Sequence, residues 1–360
     1  MAPPTTASQT RGGRPGADGG SAPGAPLRIG VIGVGRIGRL HAELIAGPVH
    51  GATLAAVHDI RRDAASTLAA ELGVAAAVSA EELIASPDVN AVAVCSTTDT
   101  HAELIVAAAG AGKATFCEKP VSLDLEEVDR ALTAVRRAGT PFQIGFNRRF
   151  DPAHQAVRDA VARGEVGEPH LVRISSRDPI PPPLDYVRAS GGIFLDMTIH
   201  DFDMARFVTG SEVAEVYARG TRRIEPAYAD AGDVDTALVV LTHENGCITA
   251  IDNSRRATYG FDQRVEVFGS RGMAASENPL SHSGLVRTEE GTRMPALPYF
   301  FLDRYVPSYV SEWEAFVAAV RAGKAPPVGP ADARAPLVIG LAAWRSLREG
   351  RPVAVDEVGG

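Results

Sequence analysis

The sequence predicts two domains of different class. The first is α/β, a doubly wound parallel sheet; the second is α+β, with an open, mostly antiparallel sheet. Three observations carry this. An apolar run, Ile29 to Ile32, leads directly into glycines at Gly33, Gly35 and Gly38. Strand and helix patterns then alternate, with short connections, as far as Phe146. Beyond Phe146, period-two runs joined by tight turns replace that alternation.

Each element of the first domain has a local reason. Leu27–Ile32 reads as a strand and Arg36–Ile45 as the helix it feeds. Thr53–His58 is the second strand, closed by Asp59. Ala64–Leu72 is helical and stops at Gly73, and a short strand follows near Ala76–Val78. Ser79 with Glu82 three residues on is a capping pair for the next helix. "VNAVAVCS" is a near-continuous apolar strand, as in a parallel sheet buried on both faces. A helix over His101–Ala109, the strand "ATFCEK", a helix over Leu125–Ala138 and the strand "PFQIGF" complete the domain.

In the second domain "EPHLVRISSRD" alternates as a half-buried strand. "DTALVVLTHENGCITAIDNS" is two such runs around an Asn-Gly turn, and "QRVEVFGSRGMAAS" is a further pair. Gly191 and Gly192 precede a helix expected to run to about Val208. On it Asp196, His200 and Asp203 fall at i, i+4 and i+7, one face, while Met197, Met204 and Val208 form a separate apolar stripe. Tyr309–Ala322 and Pro336–Arg348 read as the last helices. The expected division is a disordered tail over 1–26, a nucleotide domain over 27–146 and a second domain over 147–360. A C-terminal helix is expected to pack back on the first domain.

Composition narrows the function classes. The chain has 360 residues, 45% hydrophobic and 22% charged, which suits a soluble globular protein. A net charge of -8 gives no general basis for holding a nucleic-acid backbone. No run of eighteen apolar residues suggests a membrane span. Residues 1–26 are rich in Pro, Gly, Ala and Ser and lack the apolar core of a secretory signal. Cys95, Cys117 and Cys247 lie in strand-like contexts without CxxC spacing, which points to reduced thiols in the cytoplasm. Asp196 and His200 have a spacing open to metal ligation, but no third ligand stands out, so no metal is expected.

The glycine run follows a strand, opens a helix and is matched by an acid at the end of the next strand. That context is a dinucleotide site. The glycines let the backbone approach a pyrophosphate, and the helix N-terminus, with Arg36 and Ile37, faces it. Asp59 is placed to accept hydrogen bonds from the adenosine ribose and to repel a 2′-phosphate, which favours NAD. Arg61 and Arg62 just beyond it leave open a phosphate-binding alternative. Ser96 and Thr97, at the carboxyl end of "VNAVAVCS", are placed to line the nicotinamide-side ribose, with His101 in the first turn beyond. Glu118 and Lys119 of "FCEKP" end a later strand of the same sheet, where a cation would meet the substrate.

The strings "GVIGVGRIG", "FCEKP", "QIGFNRRFD", "SGGIFLDMTIHDFDMARF", "RRATYGFDQRVEVFGS" and "FLDRYVPSYVSEWEAFVAAV" together resemble the Gfo/Idh/MocA oxidoreductases, from about Leu27 to Arg348. "TIHDFDMARF" and "YGFDQRVEVFG" narrow the resemblance toward bacterial inositol 2-dehydrogenases. It implies NAD as cofactor, a small cyclic polyol as substrate, and a homotetramer formed through the open sheets. It also implies that Lys119, Asp196 and His200 are catalytic, and that Arg148 and Tyr259 line the substrate pocket. At "SSRDP" the chain carries Ser176 and Asp178 where some inositol dehydrogenases have histidine and asparagine. These two are the expected hydroxyl contacts that choose the ring isomer.

The implied reaction is oxidation of myo-inositol at C2 to 2-keto-myo-inositol, with His200 as the base of ordinary histidine basicity. Lys119 would stabilise the charge on the reacting oxygen, and Asp196 would hold the hydroxyl or orient the other two. A related polyol or sugar, such as scyllo-inositol or an aldopyranose, is the alternative substrate. A dinucleotide-binding sensor without turnover is the alternative of another class.

Overall fold

The protein is described by a computed structural model covering residues 25–359. The tail expected to be disordered lies, but for its last two residues, outside the described residues. In the first domain β1 (Leu27–Ile32), α1 (Arg36–Ala46), β2 (Ala52–His58), α2 (Arg62–Leu72), β3 (Ala75–Ala76) and α3 (Ala80–Ala85) come first. β4 (Ala91–Val94), α4 (Thr98–Gly110), β5 (Ala114–Glu118), α5 (Leu125–Ala138) and β6 (Phe142–Gly145) follow. The six strands are all parallel, in the order β3-β2-β1-β4-β5-β6. Strand order reverses between β1 and β4. The turns after those two strands therefore face each other across a crevice, the place where such sheets bind ligands.

The second domain contains α6 (Pro152–Ala162), β7 (Pro169–Arg177), α7 (Leu184–Ser190), α8 (Gly192–Asp196), α9 (Ile199–Thr209) and β8 (Val213–Thr221). It continues with β9 (Thr236–His243), β10 (Ile248–Ser254), β11 (Asp262–Gly269), β12 (Gly272–Ser276) and the small hairpin β13 (Val286–Thr288) and β14 (Gly291–Arg293). α10 (Phe301–Arg321), α11 (Pro330–Glu349) and β15 (Val353–Ala354) close the fold. The seven-stranded sheet runs β12-β11-β7-β10-β9-β8-β15. It is mixed rather than purely antiparallel, because β10 pairs with β7 in parallel. One face packs Val172, Ile174, Val216, Val239, Leu241, Ile251 and Val265 against the helices. The other exposes Leu238, Ile248, Phe268 and Met273.

Three local expectations change. The helix expected after Gly192, running to about Val208, is broken into α8 and α9. Thr198 sits in the break, fully buried, and its hydroxyl bonds the Ile193 carbonyl and the Asn253 side chain. The last two long helices also begin earlier than expected, at Phe301 and Pro330, with Pro307 and Pro336 inside them. A proline removes one helical hydrogen bond. Burial of Arg304 and Tyr305 before one, and of Ala333 before the other, keeps both helices intact.

α10 follows the second domain in sequence yet packs in the core of the first. Trp313 stacks on Phe116 at 4.3 Å between ring centroids, and Phe316, Tyr305 and Tyr309 fill the same cluster. α11 spans both domains, packing against α5 and β6 and against α9 and β8.

Asp203 departs from the face expected of it. It is buried and accepts both Nε and Nη2 of Arg149, at 2.8 and 2.6 Å, in a network with Asp332 and Arg206. It is a packing residue and does not join His200. Removing one partner of such a buried pair strands the other. Asp203→Ala is expected to cost about 3 kcal/mol in denaturant unfolding. Wild-type stability in the variant would show the network to be dispensable.

Candidate active site

The glycine loop is built as a cradle. Gly33 has φ +89, and a Cβ there would come within 2.5 Å of the Ser96 backbone, so only glycine fits. A Cβ on Gly38 would collide with the Gly33 carbonyl, which holds α1 tight against the loop. Gly35 is the N-cap of α1 and differs from both: a Cβ there would meet nothing. No side chain caps this helix, and its first turn carries no acid. The bare helix N-terminus and the open space at Gly35 fit a dinucleotide pyrophosphate. Arg36 is exposed beside it, 5.5 Å from the Phe300 ring, and Ile37 is half-buried.

Asp59 does more than face a ribose. It is 8% exposed, and its Oδ2 accepts the Val34 amide of the loop at 2.8 Å. Its Oδ1 accepts the Arg61 amide at 2.9 Å. Burial pushes its carboxyl up, but the Val34 and Arg61 amides and the Arg61 guanidinium together hold it below the ordinary range. A carboxylate has about four acceptor positions, so capacity for the ribose remains.

On the other side of the crevice Ser96 bonds Thr100, and Thr97 caps α4 with an exposed, uncommitted hydroxyl. His101 does not reach the crevice. It is buried, and its two ring nitrogens lie at 2.9 and 3.0 Å from the Pro120 and Ser96 carbonyls. A neutral ring donates to one of the two, and with both nitrogens facing backbone carbonyls neither is left for a ligand. Glu118 is likewise committed: Oε1 bonds His41 and Oε2 accepts the Lys119 amide.

The catalytic candidates meet where the domains join. In a continuous helix the Asp196 carbonyl would be taken by the His200 amide. The break after Asp196 sends that amide to Met197 instead, and Lys119 Nζ donates to the freed carbonyl at 2.8 Å. Lys119 Nζ is also 3.5 Å from Asp196 Oδ1. The same oxygen accepts Tyr186 Oη–H at 2.9 Å, and Oδ2 accepts Arg255 Nη1 at 3.3 Å.

The His200 ring makes no hydrogen bond among the described residues, and its Nδ1 is buried and unpartnered. Burial, Lys119 and Arg148 together hold its basicity well below the usual imidazole range. The expected one-turn contact that would let Asp196 raise it is absent, because the helix break turns Asp196 toward Lys119, Tyr186 and Arg255. Asp178 accepts no hydrogen bond to its carboxylate among the described residues. Burial pushes it up, with Asp196 and Asp201 adding to the rise and Arg255 and Arg148 opposing it, and it settles at about 6.

Of the expected pocket residues, Ser176 is enclosed and Tyr259 is exposed. Ser176 is 0% exposed and bonds Arg148, Asp201 and Gln263, so it cannot touch a substrate. Tyr259 is 52% exposed and bonds Arg177, the neighbour of Asp178, and Asp262. Arg148 stands between the two groups. Its Nη1 is taken by Ser176 and by Asp201 at 2.7 Å, yet its charge is felt at His200.

Sequence reasoning missed Arg255, Tyr186 and Asp201. Arg255 is 1% exposed and lies beside Asp196 and Asp233. Its signal was the pair "RR" before "ATYGFD", indistinguishable in sequence from a solvated loop. Asp201, next to His200, anchors Arg148 and Asn253.

Among the described residues no helix is long and apolar enough to cross a membrane. Residues 27–146 match the oxidoreductase family with an NAD-binding Rossmann fold, and residues 154–275 match the GFO/IDH/MocA C-terminal domain. A myo-inositol 2-dehydrogenase from Thermotoga maritima is 49% identical over 92% of this chain and 99% of its own. The crystal structure of a myo-inositol dehydrogenase from Corynebacterium glutamicum superposes with a TM-score of 0.87, at 37% identity over 91% of this chain and 98% of that one. A scyllo-inositol dehydrogenase from Lactobacillus casei, solved with bound NAD(H) and scyllo-inositol, gives 0.86 at 29% identity over 92% and 99%. The chain belongs to the Gfo/Idh/MocA family of NAD-dependent oxidoreductases.

Proposed function

We propose that this protein is an inositol 2-dehydrogenase, oxidising myo-inositol at C2 to 2-keto-myo-inositol. The observation that carries the reading is the cluster of Lys119, Asp196 and His200 at the domain junction, beside the carboxylate of Asp178. The similarity to the Thermotoga maritima enzyme supports the ring and the carbon. NAD, when bound, supplies the hydride acceptor; the glycine loop, Asp59 and Thr97 would hold it.

His200 takes the C2 hydroxyl proton. Its lowered basicity keeps it neutral at pH 7 and therefore able to accept. Lys119 hydrogen-bonds the same oxygen and stabilises its developing negative charge. Asp196 holds Lys119 through both its carbonyl and its carboxylate. Asp178 accepts from a neighbouring ring hydroxyl and helps choose the isomer. Three buried thiols without a disulfide fit a cytoplasmic protein. The apolar residues on the open sheet face fit a homotetramer closed through that face.

Five measurements test this reading. His200→Ala should lower kcat by about 10²- to 10⁴-fold while NAD binding by calorimetry stays near wild type. Wild-type turnover in the variant would remove His200 as the base. Across a panel of polyols and sugars followed at 340 nm, myo-inositol should give the highest kcat/KM; a higher value for scyllo-inositol or an aldopyranose reassigns the substrate, and NAD binding without any turnover makes the protein a sensor.

The pH profile follows from signs. A lowered His200 stays neutral as pH falls through 6.5, so it does not set the first acidic loss. Asp178, raised to about 6, gains its proton there and loses its charge. kcat/KM should therefore decline below about pH 6, and Asp178→Asn should remove that limb; an unchanged limb in the variant assigns it to another group. With the two cofactors, Asp59 should give NAD the higher kcat/KM, and parity with NADP would make Arg61 or Arg62 a phosphate ligand. Light scattering at micromolar concentration should report four subunits, whereas a monomer mass rules the assembly out.

A further inference from the structure

His41 has no part in the chemistry above, yet it is polar and fully buried. It lies on α1, the helix that opens from the glycine loop. Phe116, Tyr309 and Trp313 pack around its ring edge-on, with centroids 5.3, 5.5 and 5.6 Å away. Trp313 Nε1 donates to His41 Nδ1 at 2.8 Å. An indole nitrogen only donates, so Nδ1 is the accepting nitrogen and the ring proton sits on Nε2. Nε2 donates it to Glu118 Oε1 at 2.7 Å.

The second Glu118 oxygen accepts the Lys119 amide at 3.2 Å, and Lys119 Nζ reaches the Asp196 carbonyl. Hydrogen bonds thus link Trp313, His41, Glu118, Lys119 and Asp196 in one line from α10 to the site. Gly145 leaves Glu118 its place: a Cβ there would come within 3.3 Å of the carboxylate. Each donor in the line has one acceptor, and reversing the His41 tautomer would set two N–H groups against each other at Trp313.

We infer that His41 is a positioning residue for the proposed dehydrogenation. Backed by Trp313, it fixes the Glu118 carboxylate, and through it the backbone that carries Lys119. The dinucleotide helix and the catalytic lysine then share one node, completed by a helix that arrives only after the second domain. The inference rests on the dehydrogenase reading for its kinetic consequence, but the proton position is independent of it.

The test uses the full-length chain. His41→Leu removes both hydrogen bonds, whereas His41→Gln keeps an amide that donates to Glu118. Trp313→Phe keeps a stacked ring and removes only the donor. With myo-inositol and NAD, His41→Leu should lose about 100-fold in kcat through misplacement of Lys119, with NAD affinity by calorimetry near wild type. His41→Gln should recover most of the loss. In protein labelled with ¹⁵N-histidine, His41 should show the Nε2–H tautomer alone, and Trp313→Phe should shift the Nδ1 resonance through loss of its donor while Glu118 keeps the proton on Nε2.

An Nδ1–H tautomer in the wild type overturns the inference. So does a folded His41→Leu with wild-type kcat, or equal losses in the Leu and Gln variants, which would mean packing alone. If His41→Leu does not fold, Trp313→Phe decides: a lower kcat supports the relay, and wild-type kcat overturns it. A wild-type chain that turns over no polyol counts against the proposed function, and the tautomer spectrum then decides the relay on its own.

Discussion

The hydrogen bond from Lys119 Nζ to the Asp196 carbonyl joins the two domains at the site, and it exists only because a helix is broken. Unbroken, the helix would consume that carbonyl internally. The buried Thr198 hydroxyl, drawn to Asn253, makes the break stable. A hydrogen bond to a charged group is worth roughly 1.5–3 kcal/mol, enough to bias the geometry of a long, flexible lysine. Tyr186 and Arg255 then fix the carboxylate of the same residue from two further directions.

The charges around this bond explain the state of His200. Lys119 and Arg148 are its cationic neighbours, and the Asp196 and Asp201 carboxylates are spent on other partners. Asp196 faces Lys119, Tyr186 and Arg255; Asp201 faces Arg148, Ser176 and Asn253. An imidazole left without an acid beside it is a weaker base but an unprotonated one. A proton acceptor at neutral pH needs to be unprotonated first, and a cation on the reacting oxygen lowers the basicity it must overcome.

The parallel sheet was legible in the sequence because its signals are local. A buried strand is apolar, a turn needs glycine, and the strand–glycine–helix order has one common topology. Lys119, Asp196 and His200 were legible through motif resemblance, and the structure brings them together. The helix break was not. "GIFLDMTIHDFDMARF" has good helical periodicity throughout, and what interrupts it is a side-chain partner some fifty positions away, Asn253. Arg255 was hidden for the same reason: its burial depends on Asp196 and Asp233, from other elements. Ser176 was misplaced because a strand residue's depth depends on the layer packed over it, here α9 with Asp201.

That last point separates scaffold from specificity. The Arg148–Asp201–Ser176–Asn253 network is buried, and its acceptors are filled from within the chain. Buried ion pairs of this kind contribute little net stability, since desolvation offsets much of their attraction, but they penalise any packing that leaves one partner alone. They hold the floor of the site in one arrangement. A ligand cannot displace these bonds without stranding a charge, although only Nη1 of Arg148 takes part in them. In the proposed reaction, selection among ring hydroxyls falls on polar capacity left unspent, and the Asp178 carboxylate accepts no hydrogen bond among the described residues. Its position immediately after β7, one residue beyond the rim arginine Arg177, places it where the rigid sheet ends and the variable loops begin.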